Sequence, residues 1–85
     1  MAAQFELAIL TPERTVFEGM VEYVEVPGVA GSFGVLAHHA ALVTPLGAGV
    51  LTVRKPGGDE MRWQVRGGFF QVADDRATVL KLEVP

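Results

Sequence analysis

Apolar and polar positions alternate with a period close to two along most of the chain, the spacing of a half-buried strand. The cleanest run is Glu60-Met61-Arg62-Trp63-Gln64-Val65-Arg66. It predicts Met61, Trp63 and Val65 facing a core and Glu60, Arg62, Gln64 and Arg66 facing water. Val50 to Arg54 precedes it, and Lys55-Pro56-Gly57-Gly58-Asp59 lies between. That order predicts a β-hairpin, because its turn is rich in residues that tolerate positive φ. Gly67-Gly68 ends the run. Phe69 to Ala73 extends again, Asp74-Asp75-Arg76 makes a polar turn, and Thr78 to Leu82 returns. On that last strand Thr78, Leu80 and Leu82 share one face, and Val79 and Lys81 share the other. At the front, Phe5, Leu7 and Ile9 alternate with Glu6 and Ala8. Thr11 to Arg14 turns the chain, and Thr15 to Phe17 and Val21 to Val26 extend. No capped helical stripe interrupts this pattern. Short strands with frequent turns predict an all-β, two-sheet β-sandwich of mostly antiparallel strands. Without repeat or linker, residues 1–85 read as one domain.

Charge changes the picture in the middle of the chain. From Val26 to Val53 there is no Asp, Glu, Lys or Arg. Glu6, Glu13, Glu18, Glu22 and Glu25 stand before it with Arg14, and mixed charges follow it. The stretch is too broken for a membrane helix, because Pro27, Gly28, Gly31, Gly34, Pro45, Gly47 and Gly49 interrupt it and His38 and His39 sit inside it. A domain of 85 residues buries only about 60–65% of its unfolded surface. With 49% apolar residues, part of this stretch is expected to face another protein, on one exposed apolar face. The seven Lys and Arg residues form no basic stripe, which argues against nucleic acid. The chain has no Cys, so disulfides and thiolate chemistry are excluded. No basic segment followed by an apolar core opens the chain, so no signal peptide is expected.

Candidate chemistry is sparse. Pro27 to Leu36 is Gly-rich, but a phosphate loop needs a following helix and a Lys or acidic partner. It reads as a tight exposed loop. His38 and His39 lack a third ligand for a metal, and neighbours on a strand point apart. Ser32, the one serine, would need a histidine and an orienting acid to serve as a nucleophile. Lys81 lies within a strand, not at the exposed hairpin tip that a biotin or lipoate carrier needs. Three classes stay open at this point: a structural interaction domain, a small β-sandwich carrier or ligand-binding module, and a small hydrolase using Ser32 and His39.

Particular blocks narrow these. Leu10-Thr11-Pro12-Glu13-Arg14, Val16-Phe17-Glu18-Gly19, Val24-Glu25-Val26-Pro27-Gly28 and Gly31-Ser32-Phe33-Gly34-Val35-Leu36 come first. His39-Ala40, Leu42-Val43-Thr44-Pro45-Leu46, Gly49-Val50, Val65-Arg66-Gly67-Gly68-Phe69, Val72 and Thr78-Val79-Leu80 follow. In this order and spacing the chain resembles the N-terminal domain of the epsilon subunit of the F-type rotary ATP synthase.

The resemblance implies a β-sandwich at the foot of the rotor's central stalk, bound to the gamma subunit and resting on the loops of the c-ring. It implies a non-catalytic, cofactor-free part of a proton-driven machine. Such a domain is held at the cytoplasmic face of an energy-transducing membrane only through the complex. Val29, Ala30, Gly31, Ser32 and Phe33 match the segment that approaches the c-ring. Thr11, His39, Leu42 and Thr44 match positions at the gamma and stalk interface. Where the family loop often carries acids, this chain has Ala30 and Ser32. Ala37-His38 replaces the common Pro-Gly before His39, and Ala41 replaces a common Pro. Both changes predict a less stiff loop, since Pro fixes φ and Gly permits positive φ. Most family members continue into a helical hairpin that regulates the enzyme and in some cases binds ATP. This sequence stops at Pro85, so no inhibitory switch and no nucleotide site are expected in it.

Overall fold

Strand β1 (Phe5–Leu10) shows how the layers arise. Phe5, Leu7 and Ile9 are buried and the intervening Glu6 is exposed, as the alternation predicts. The remaining strands are β2 (Thr15–Val21), β3 (Tyr23–Gly28), β4 (Gly31–Val35), β5 (Leu42–Pro45), β6 (Ala48–Arg54), β7 (Glu60–Arg66), β8 (Gly68–Ala73) and β9 (Arg76–Lys81). The same alternation runs through them except at Val16–Phe17, Val26–Pro27 and Gly31–Ser32. The computed structural model describes residues 3–81, which contain no helix.

The strands form two sheets. One runs β2-β1-β9-β8-β5 and the other β4-β3-β6-β7. All neighbours are antiparallel except β1 and β9, which pair parallel with Leu7 opposite Ala77. The core lies between the sheets. Phe5, Leu7, Ile9, Phe70, Val72 and Val79 come from the first, and Val24, Val26, Val35, Leu51, Val53 and Val65 from the second. Each such side chain contributes about 1.5–3 kcal/mol by leaving water. Aromatic pairs bridge the layers at both lateral edges. Phe17 of β2 meets Trp63 of β7 at 5.9 Å between centroids, and Phe33 of β4 meets Phe70 of β8 edge-on at 6.0 Å. The predicted β7 pattern holds, with Val65 buried, Met61 and Trp63 half-buried and the four polar residues exposed.

The turns follow their chemistry. Asp74 and Asp75 both have positive φ (52° and 59°), which makes the two-residue β8–β9 turn a primed type suited to the strand twist. The β6–β7 loop, Lys55 to Asp59, is longer: the Gly58 N–H donates to the Lys55 carbonyl at 3.0 Å, and Gly57 and Gly58 take the positive φ (96° and 100°) that the loop needs. Gly68 is obligatory. Its φ is +124°, and a Cβ there would meet the Leu80 carbonyl oxygen.

Three expectations are corrected. The Gly-rich segment is not a long loop: only Val29 and Ala30 turn, and Gly31 to Val35 returns beside β3 as β4. Val21 to Val26 is not one run but breaks at Glu22, whose N–H donates to the Arg54 carbonyl at 2.8 Å. The charge-free stretch does not gather on one face. Val26, Val35, Leu46, Leu51 and Val53 enter the core, while Val29, Leu36, Val43 and Val50 are exposed at separate places. On β9 the inward face is Ala77, Val79 and Lys81. Leu82 lies outside the described residues.

Candidate docking surfaces

Register turns the outer face of the five-stranded sheet into three transverse rows. Pro45 pairs with Phe69, Phe69 with Leu80, and Leu80 with Leu10. The next row is Val43, Gln71, Thr78, Ala8 and Glu18. The third is Ala73, Arg76, Glu6 and Met20, with Arg76 Nε 3.8 Å from Glu6 Oε1. The face therefore grades from an apolar row, through a mostly uncharged one that ends in Glu18, to one centred on the Arg76–Glu6 pair. Phe69 is 51% exposed and Val43 66%. Leu10, Val43, Phe69, Gln71, Thr78 and Leu80 line one shallow depression of about 220 Å³. Ligand pockets are typically about 300–1,000 Å³ and concave, so this depression is smaller and shallower than a typical small-molecule site.

Sequence reading missed Leu10, Phe69 and Leu80. Their signal was present: β1, β8 and β9 carry apolar residues on both parities. A strand of one solvated face normally carries polar residues on one of them.

The sequence-predicted residues fall into three groups. Val29 and Ala30 form the tip of the β3–β4 hairpin, followed by exposed Gly31 and Ser32, but Phe33 turns inward and packs on the core. This tip is tied to the other sheet: the Val29 N–H donates to the Pro45 carbonyl (3.3 Å) and the Gly47 N–H to the Pro27 carbonyl (2.8 Å). Thr11 lies at the same end, in the β1–β2 turn. It is only 8% exposed, and its Oγ1 accepts from the Arg14 N–H at 3.2 Å, which locks that turn. Leu42 and Thr44 alternate inward on edge strand β5, where Leu42 packs against the core. His39 sits at the opposite end of the sandwich, half-buried, its Nδ1 donating to the Ala40 carbonyl at 2.7 Å. The structure thus brings Val29, Ala30 and Thr11 to one end and separates them from His39.

The His38 loop differs from expectation. His38 and His39 are in the β4–β5 connection, not on a strand. His38 has φ 67°, so the imidazole-bearing residue adopts the backbone that glycine favours. It is held there by Asp75: the His38 N–H donates to Asp75 Oδ1 at 2.6 Å, and Nδ1 lies 3.1 Å from Oδ2. These contacts clamp the loop to the β8–β9 turn. His38, His39, Asp74 and Asp75 border one open depression, yet among the described residues no group of three or more His, Asp or Glu is arranged to hold a metal.

The two enzymic and carrier alternatives lose their geometry. β4 carries the chain about 10 Å from Ser32 to Val35, so Ser32 stands near the tip and His39 beyond the far end, out of hydrogen-bond reach. Lys81 is 3% exposed on the core-facing side of β9, the reverse of what a carrier lysine requires.

Comparison with known proteins agrees with this architecture. An ATP synthase epsilon chain of Rhodopseudomonas palustris is 42% identical over 78 residues, covering 92% of this chain and 57% of that one. One from Moorella thermoacetica is 44% identical over 78 residues, covering 92% and 58%. The chain thus spans somewhat more than half the length of these curated relatives. Among solved structures, a chain of the Euglena gracilis mitochondrial ATP synthase (OSCP/F1/c-ring in rotational state 1) superposes with a TM-score of 0.90 at 27% identity, covering 98% of this chain and 53% of that one. A chain of the Tetrahymena thermophila mitochondrial ATP synthase central stalk and c-ring shares the fold, with a TM-score of 0.77 at 15% identity over 96% of this chain and 66% of that one. The family model for the beta-sandwich domain of the ATP synthase delta/epsilon chain matches residues 4–84, and the chain belongs to that family.

Proposed function

We propose that this domain is a non-catalytic coupling element of the central stalk in a proton-driven rotary ATP synthase. It binds the gamma subunit through the outer face of the five-stranded sheet and rests on the c-ring through the β3–β4 tip. The observation that carries this reading is the contiguous row of Pro45, Phe69, Leu80 and Leu10 on a solvent-facing surface. An apolar patch of this kind marks a protein contact. The epsilon-chain relatives and the F1/c-ring assembly of the Euglena neighbour support a place in that complex, and the choice of gamma as partner follows from the family resemblance.

Size is adequate. The domain measures 34 × 22 × 18 Å, so its broad face projects about 750 Å², near the roughly 800 Å² per partner of a stable interface. The row supplies the apolar centre and the Arg76, Glu6 and Glu18 end supplies a polar rim. Leu42 and Thr44 on β5, Thr11 at one end and His39 at the other border this gamma-facing surface. Within the segment Val29 to Phe33, the exposed tip residues Val29 and Ala30 provide the ring contact, which is neutral because Ala30 carries no charge. Attachment to the membrane's cytoplasmic face follows through the complex alone.

The test is calorimetric titration of the domain with purified gamma subunit. Phe69→Glu is expected to weaken binding about thirtyfold or more, the scale of an interface hot spot, with the fold intact because Phe69 is half-exposed. Arg62→Glu, on the opposite face, is expected to bind like the parent. Equal losses from both substitutions, or no binding of the parent at micromolar concentration, overturns the reading.

A further inference from the structure

The two sheets have four edge strands, and three of them are guarded against pairing with another chain. β2 carries Glu18 and adjoins a register shift beside Leu10. β5 has four residues and ends in Pro45. β7 alternates Glu60, Arg62 and Arg66 along its length. Charges, prolines and irregularities are the usual devices that blunt an edge. β4, Gly31-Ser32-Phe33-Gly34-Val35, has none of them.

Its free backbone groups can be assigned. Antiparallel partners alternate between pairs that exchange hydrogen bonds and pairs that do not. Pro27 has no N–H, so Pro27 and Ser32 are a non-bonded pair, and Val26–Phe33 and Val24–Val35 are the bonded ones. Gly31, Phe33 and Val35 therefore point their amides and carbonyls at β3. Ser32 and Gly34 point theirs away from the sheet, and both residues are exposed.

We infer that β4 is a strand-addition site, which an extended segment of the gamma subunit occupies beside Ser32 and Gly34. The inference rests on the docking function proposed above and names its mode of contact. Gamma is the occupant by continuity. β4 and β5 are the edges on one side of the sandwich: Phe33 packs on Phe70, and the Val29 N–H bonds the Pro45 carbonyl. A polypeptide covering Pro45 and Phe69 reaches β4 by passing round β5. The added strand carries apolar residues where it neighbours Phe33 and Val35, and small or polar residues where it neighbours Ser32 and Gly34. The ring contact is then confined to the tip, Val29 and Ala30.

Residue-resolved amide exchange on the parent domain, alone and with purified gamma, tests this directly. The Ser32 and Gly34 amides are expected to exchange fast in the free domain and to become protected with gamma. Ser32→Pro removes an N–H that the domain's own ladder does not use, a position where edge strands accept proline. It is expected to weaken gamma binding about tenfold, while Ser32→Ala binds like the parent. Unprotected Ser32 and Gly34 amides in the complex, or full-strength binding by a folded Ser32→Pro domain, overturns the inference. So does protection that appears at high domain concentration without gamma, which gives the edge to a second copy, or protection by detergent-solubilised c-ring alone. Loss of binding in Phe69→Glu with none in Ser32→Pro leaves the docking reading standing and removes this one. No binding by the parent removes both.

Discussion

On the outer face of the five-stranded sheet, Pro45, Phe69, Leu80 and Leu10 run side by side across four strands. On the outer face of the four-stranded sheet, the strands instead present Glu25, Thr52, Arg54, Glu60, Arg62 and Gln64. There Glu60 lies 3.0 Å from Arg62 and 3.9 Å from Arg54, and Arg54 stacks 5.0 Å above the Tyr23 ring. Tyr23 in turn lies against Gly34, where a Cβ would come within 2.6 Å of the ring. The four-stranded face satisfies itself with local polar contacts, whereas on the five-stranded face, among the described residues, only the Arg76–Glu6 end does so and the apolar row is left bare. Both are solvent-facing parities of strands with equally buried inner parities. The apolar surplus of the composition is therefore concentrated on one side, and the proposed docking role rests on that asymmetry.

The most severe way to break the comparison is to remove the strand that carries its apolar side. Gly68→Ala forces a Cβ against the Leu80 carbonyl at φ +124°. Because β8 pairs with both β9 and β5, the row and half the core go with it. A loss of about 3 kcal/mol or more is expected, read as a fall in the urea midpoint or as failure to fold. A wild-type midpoint would show that β8 and β9 can move apart, and with them the register on which the rows depend.

A matched pair of truncations sharpens it. Phe69 and Val50 are similarly exposed, at 51% and 44%, on opposite outer faces. Phe69→Ala is expected to cost about 2 kcal/mol in binding to gamma, and Val50→Ala less than about 0.5 kcal/mol. Neither should change stability much. Reversal of that order in titration calorimetry would assign the partner to the four-stranded face.

Much of this asymmetry was legible in the residues and some was not. Period-two alternation located β1, β6, β7 and β8, and the turn residues located the hairpins. Alternation fails where both parities are apolar: in Phe69-Phe70 and in Thr78 to Lys81, nothing local says which side is inward. Tertiary pairing settles it, since β9 lies parallel to β1 with Val79 opposite Ile9 and Leu80 opposite Leu10. Lys81 then follows its parity into the interior despite its charge. β4 was obscured for another reason. Three of the four residues from Gly31 to Gly34 are Gly or Ser, which reads as loop, and only pairing with β3 makes it a strand. His38 hid a backbone demand: its positive φ is met through Asp75, far away in sequence. For the candidate site, the tip and β5 were expected from the resemblance alone, whereas Leu10, Phe69 and Leu80 emerged only from register.

The Asp75 clamp offers a smaller effect at the rim of the docking face. Asp75→Gly removes the acceptor of the His38 N–H and the partner of its imidazole while tolerating the positive φ of 59° at that position. The His38 side chain is 78% exposed, so the ion pair contributes little and the backbone hydrogen bond carries most of the loss. A destabilisation of about 1 kcal/mol is expected, with faster amide exchange at His38 and no change at β4. Exchange at His38 that does not quicken would mean the loop is held by its own packing.

The smallest effect belongs to the four-stranded face and bears most directly on why that face is left alone. Glu60→Ala deletes the carboxylate shared by Arg54 and Arg62. All three side chains are more than a third exposed, so water and salt screen their attraction. Stability should change by no more than about 0.5 kcal/mol, and gamma binding should not change. Arg54 keeps its place over Tyr23, because that contact does not involve Glu60. The urea midpoint of the variant and its titration with gamma, each at low and high salt, check this. A loss of binding that salt removes would mean the ionic face steers the partner, and the two faces would then share the work that the apolar row is assigned here.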